Sequence, residues 1–141
     1  MRVLLDTNVV VSALLFGGAP RELLRILSGL PFELWTSRPL LRELAATLSH
    51  ERLRSAVDRV GVSVERLVKA YARQATIVPD AQLPMVVFSP DPGDAPVIAA
   101  AQAARVHWLV SGDRHLLGAG EQLTCEVLTV REALERAKTI R

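Results

Sequence analysis

Val3-Leu4-Leu5-Asp6-Thr7-Asn8, near the start of the chain, is an apolar run halted by three polar residues. A continuous run of this kind reads as a strand buried on both faces, as in parallel sheets covered by helices. Val9 to Phe16 is apolar and suits a helix, which Gly17-Gly18 ends. Pro20 then opens a second helix, with Leu23, Leu24 and Leu27 at helical spacing. The same alternation repeats downstream. Leu34-Trp35-Thr36 is a strand, and Ser37 with Pro39 opens a helix whose stripe is Leu40, Leu41, Leu44 and Leu48. Residues 50–62 predict a short helix and a turn at Gly61, after which Ser63 caps a helix presenting Leu67, Val68 and Tyr71. Thr76-Ile77-Val78, Trp108-Leu109-Val110 and Glu126-Val127-Leu128 supply three more strands. Ala81 to Asp94 is a proline-punctuated loop with a short extended piece at Met85 to Phe88, and an alanine-rich helix runs from Ala95 to Ala104. Thr129 and Glu132 form a capping box for the last helix. Short strands alternating with helices predict an α/β fold: a mostly parallel central sheet of about five strands flanked by helices.

The chain has 141 residues, half of them hydrophobic, with eight Gly and eight Pro. That length suits a single domain over 1–141, and the composition excludes disorder and collagen-like repetition. No apolar run approaches the ~20 residues a membrane helix needs. Asp6 interrupts the first apolar run too soon for a signal peptide. Cys125 is the lone cysteine, which excludes an internal disulfide and a cysteine-type zinc site. A cytoplasmic protein with no membrane partner is expected.

The net charge is only +2, but 15 arginines stand against two lysines. Between residues 38 and 73 there are eight basic and four acidic groups, so that stretch carries +4 and the remainder −2. Arginine forks suit phosphate, and such asymmetry fits a nucleic-acid partner as readily as solvated helix faces. The large aromatics Trp35, Trp108, Phe16 and Phe88 adjoin apolar runs and read as core. His50 and His107 show no ligand spacing.

Only six aspartates occur. Asp6 ends the first strand, Asp94 opens the alanine-rich helix and Asp113 follows the fourth strand. In open parallel sheets the carboxyl ends of the strands line the ligand crevice. Glu43 lies on the flank of its helix's leucine stripe, from where it leans toward the same edge. Each acid alone has a structural reading as a cap, turn or surface residue. Together they point to a cation, because gathered carboxylates repel unless neutralised. Oxygen donors without sulfur or clustered histidine select Mg²⁺ or Mn²⁺.

Asp6-Thr7-Asn8-Val9 after a strand, Glu43 in a helix, Asp91-Pro92-Gly93-Asp94 before a small-residue helix and Ser111-Gly112-Asp113-Arg114-His115-Leu116-Leu117 after a late strand form an ordered set. In order and spacing, from residue 2 to about 138, the chain resembles a PIN domain. Within that family it is most similar to the VapC-type toxin ribonucleases of bacteria. The resemblance implies a three-layer PIN-like fold and catalytic metal ligands at Asp6, Glu43, Asp94 and Asp113. Thr7 or Asn8 and Ser111 match the polar positions that support those ligands. Two positions depart from the pattern: His115 stands where relatives often carry another acid, and Pro96 where they carry a polar or acidic residue.

The implied activity is endoribonuclease hydrolysis of RNA by an activated water, leaving 5′-phosphate and 3′-hydroxyl ends. Arg38, Arg42, Arg114 and His115 are candidates to contact the RNA. The implied partners are a small antitoxin protein and a second copy of the chain. The alternative is a PIN-like module that binds RNA or protein without cutting. A Mg²⁺-dependent phosphatase or receiver fits poorly, since Asn8 stands where a phosphatase carries a second Asp and the only lysines are Lys69 and Lys138.

Overall fold

A computed structural model describes residues 1–85, 87, 91–112 and 123–140. Part of the expected Met85–Phe88 extended piece falls outside these residues, as do Asp113, Arg114 and His115. β1 (Arg2–Leu5) leads into α1 (Thr7–Leu15) and α2 (Gly18–Leu27). β2 (Glu33–Ser37) is followed by α3 (Arg38–Leu48), α4 (Arg54–Val60) and α5 (Val64–Gln74). β3 (Ala75–Val78), α6 (Ala95–Ala104), β4 (Trp108–Val110), β5 (Glu126–Leu128) and α7 (Val130–Ile140) complete the order.

The five strands form one sheet in the order β3-β2-β1-β4-β5, with every pair parallel. The chain steps outward from β1 through β2 to β3, then returns to the other side of β1 for β4 and β5. The order therefore reverses between β1 and β4, the place where open α/β sheets leave a crevice beyond the carboxyl ends of their strands.

Helices cover both faces. Val3, Leu5 and Val110 point into a core shared with α1, α2, α3, α5 and α7. Leu4 and Leu109 point the other way, onto Val97, Ile98 and Ala101 of α6. Apolar residues are thus needed at every position of β1 after Arg2, which is why its sequence is a run and not an alternation. Burying each large aliphatic side chain is worth about 1.5–3 kcal/mol, and truncating the fully buried Leu4 to alanine costs ~2–5 kcal/mol. The alanines of α6 let that helix lie close on the sheet: Ala100, Ala101 and Ala104 are all buried.

The expected strands and helices are present, with four local differences. α2 begins at Gly18, because Gly17 at φ 77° makes the turn and Pro20 falls inside the first helical turn, where no N–H is needed. Phe16 is not core: it closes α1 outside the last buried residue, Leu15, and is 59% exposed. Leu41 and Val68 are only half-buried, since they sit at the margins of their stripes. Trp35 is also half-buried, with the Arg2 guanidinium 4.7 Å from its ring centroid while Arg2 Nη1 donates to the Ala104 carbonyl at 2.7 Å. No helix among the described residues is long and apolar enough to cross a membrane.

Candidate active site

β1 delivers Asp6 to the reversal point without an intervening loop. The register pairs Leu5 with Val110, so Asp6 stands beside Ser111, and its N–H donates to the Val110 carbonyl at 2.9 Å. Asp6 is extended (φ −65°, ψ 151°) and caps α1, its Oδ1 accepting from the Thr7 N–H at 2.8 Å. Its second oxygen, Oδ2, accepts from the buried Ser111 hydroxyl at 2.7 Å. One carboxylate is thereby fixed by two elements.

Thr7 extends this chain. Its hydroxyl is buried and donates to Glu43 Oε2 at 2.8 Å. Glu43 reaches that position because Ser37, fully buried, both closes β2 and caps α3, accepting from the Leu40 N–H at 3.2 Å. Six residues on, the helix turns Glu43 toward α1, while Leu40, Leu44 and Leu48 hold the core side. A continuous relay, Ser111–Asp6–Thr7–Glu43, thus joins the ends of β4 and β1 to α3. Asn8, the other polar candidate beside Asp6, is exposed.

α6 crosses between β3 and β4, so its N-terminus stands at the carboxyl edge of the sheet. Asp94 occupies the residue just before it, half-buried and in helical conformation (φ −86°, ψ −11°), and its side chain does not cap the helix. Asp91 does the local structural work, accepting from the Gly93 N–H at 2.9 Å. A Cβ at residue 93 would stand 3.2 Å from that oxygen, so glycine lets the turn close tightly.

The structure therefore links Asp6, Thr7, Ser111 and Glu43 by hydrogen bonds and leaves Asp94 at the same edge. Asp113 lies outside the described residues, among which no three acidic, histidine or cysteine side chains come close enough to hold a metal ion. Asp6 and Glu43 accept from neutral donors only, and no ion pair among the described residues involves either of them. Two half-buried carboxylates held by hydroxyl and amide groups, with no guanidinium spent on them, suit a hard divalent cation.

Arg38 and Arg42 are not gathered to this relay. Both are exposed and line a cavity with Leu41, Ala45 and Val68, on flanks of α3 turned away from Glu43. Nothing in either leucine stripe singled out that cavity beforehand; the only signal was Leu41 and Val68, each one position off its helix's buried line. His50 and His107 serve the backbone, their Nδ1 atoms accepting from the Arg52 and Arg2 N–H groups at 3.2 and 3.0 Å.

The fold and this edge define a doubly wound α/β protein with oxygen-donor side chains at its reversal point. A family model for the PIN domain matches residues 2–115, and the chain belongs to that family. PIN domains are generally nucleases and typically use divalent metal ions. No curated protein and no solved structure gives a match.

Proposed function

We propose that this chain is a Mg²⁺- or Mn²⁺-dependent endoribonuclease, the toxin of a cytoplasmic toxin–antitoxin pair. The observation that carries this reading is the relay Ser111–Asp6–Thr7–Glu43 at the sheet's reversal point in a PIN-family chain. Asp6, Glu43, Asp94 and Asp113 would hold the cation. When bound, such an ion acidifies water and relieves charge on phosphoryl oxygens.

The chain's own groups do the rest. Ser111 and the Thr7 N–H lock Asp6, so this ligand needs no reorganisation when it is used. Thr7 occupies Glu43 Oε2, which leaves Oε1 to accept a hydrogen bond from the attacking water and orient it. The water oxygen bonds to phosphorus as the bond to the 3′-oxygen breaks; that oxygen takes up a proton, giving 5′-phosphate and 3′-hydroxyl ends. An unpaired strand suits the crevice because its backbone bends where a duplex does not. A small antitoxin protein and a second copy of the chain are the expected partners.

The test is incubation of the purified chain with a single-stranded RNA and either metal. Cleavage that EDTA and Asp6→Asn both abolish supports the reading. RNA binding without cleavage under every metal condition overturns it and identifies a binding module.

A further inference from the structure

Three cavities, of about 320, 630 and 400 Å³, lie end to end along α3. The first and second share Ala45 and Val68; the second and third share Ser49 and Val64. They are therefore one groove, walled by α3 on one side and by α5 and α4 on the other. From Arg38 to Ser49 it runs about 16 Å, three helical turns at ~1.5 Å per residue. Its floor is aliphatic, formed by the half-buried Leu41, Val57, Val64 and Val68. No aromatic side chain lines it, so it offers no platform for stacking a base.

The charges are unevenly placed. At the end near the start of α3, Arg38 and Arg42 stand over Leu41 and Val68, and no acid lines that cavity; Arg38 has Asp80 at 3.5 Å outside it. Farther along, signs are mixed, with Glu65 beside Lys69, and Glu51 and Asp58 beside Arg54. On α3 the floor residues Leu41 and Ala45 lie about 160° around the helix from Glu43. The groove and the acids are thus on opposite flanks of one helix.

We propose that this groove docks an amphipathic helix of a partner protein, acidic at the end that meets Arg38 and Arg42. An aliphatic floor three turns long accepts an apolar stripe spaced i, i+3/i+4, i+7, and the unbalanced basic end selects its acidic end. The site is separated from the acids by the crest of α3, so it stands whether or not the chain cleaves RNA.

The test uses a fluorescent synthetic peptide of about 16 residues, with leucines on one helical face and glutamates in its first turn. It is titrated against the full chain, beside a lysine-for-glutamate version and a scramble. Saturable binding of the acidic peptide alone is expected. It should weaken about tenfold or more in Val68→Glu, which places a charge on the floor, and in Arg42→Glu, which reverses the rim. Arg42 is exposed, so its variant reports even if Val68→Glu fails to fold. Equal binding of acidic peptide and scramble, or indifference to Arg42→Glu, overturns the proposal. So does displacement of the peptide by single-stranded RNA whose own binding is lost in Val68→Glu, which gives the groove to nucleic acid. A concentration-dependent dimer dissolved by Val68→Glu likewise overturns it and gives the groove to a second copy.

Discussion

Asp6 and Asp94 occupy equivalent places, each the residue before a helix at the carboxyl edge of the sheet, yet they are held differently. Asp6 is a working cap, its two oxygens engaged by Thr7 and Ser111. Asp94 sits in helical conformation and leaves the capping to others, with Asp91 closing the turn before it. A cap is sufficient reason for an aspartate in the first case. In the second it is not, so the helix's own stability does not account for the acid. What singles out Asp6 is its second hydrogen bond, since a cap needs only one.

The largest expected effect separates charge from shape. Asp6→Asn keeps both hydrogen-bonding oxygens' positions but removes the charge, and single-stranded RNA cleavage should fall roughly a hundredfold or more. Undiminished turnover would reduce Asp6 to a cap. Melting experiments sharpen the contrast. Asp6→Ala loses the cap and orphans the buried Ser111 hydroxyl, a cost of about 2–3 kcal/mol. Asp94→Ala gives up no cap and should cost about 1 kcal/mol or less. Stabilisation by Mg²⁺ should vanish in Asp94→Asn, and its survival would remove Asp94 from the ligand set.

Thr7→Val tests the relay next. It keeps the shape and deletes the donor to Glu43, and cleavage should fall about 10–100-fold while Thr7→Ser restores it. Failure of serine to rescue would make the threonine a packing residue only.

The smallest effect comes from a helix start with no chemistry attached. In the exposed box at α7, Glu132 accepts from the Thr129 N–H at 3.0 Å, and Thr129 Oγ1 accepts from the Glu132 N–H at 3.1 Å. The Thr129 backbone bond holds the Glu132 carboxyl below its ordinary value. A depressed carboxyl stabilises the fold above its unfolded pKa, and that gain is lost as pH falls through the folded value. Melting of Glu132→Gln should therefore match the parent in acid and fall slightly below it near neutrality. The opposite slope would break the assignment.

Much of the fold was legible because its signals are local. The unbroken run Val3-Leu4-Leu5 announced a strand covered on both faces, and Ser37, Ser63 and the Thr129/Glu132 box marked helix starts that the structure shows. The edge position of Asp6 and the flank position of Glu43 also followed from spacing. The choice between Thr7 and Asn8 did not, because it depends on where α3 docks, 36 residues later in the chain. Nor did the half-burial of Leu41 and Val68, since leucine and valine are placed at the edge of a stripe as readily as at its centre. Phe16 misled for a related reason: hydrophobicity says what a residue prefers, not whether the helix has already turned away from the core.

Ser37 is at once the last residue of its strand and the cap of the next helix, so no slack separates the sheet from Glu43. One extra residue between them would swing Glu43 about 100° around α3 and away from Thr7. The segment from Ser37 to Glu43 should consequently accept many replacements of one amino acid by another, while tolerating no insertion or deletion.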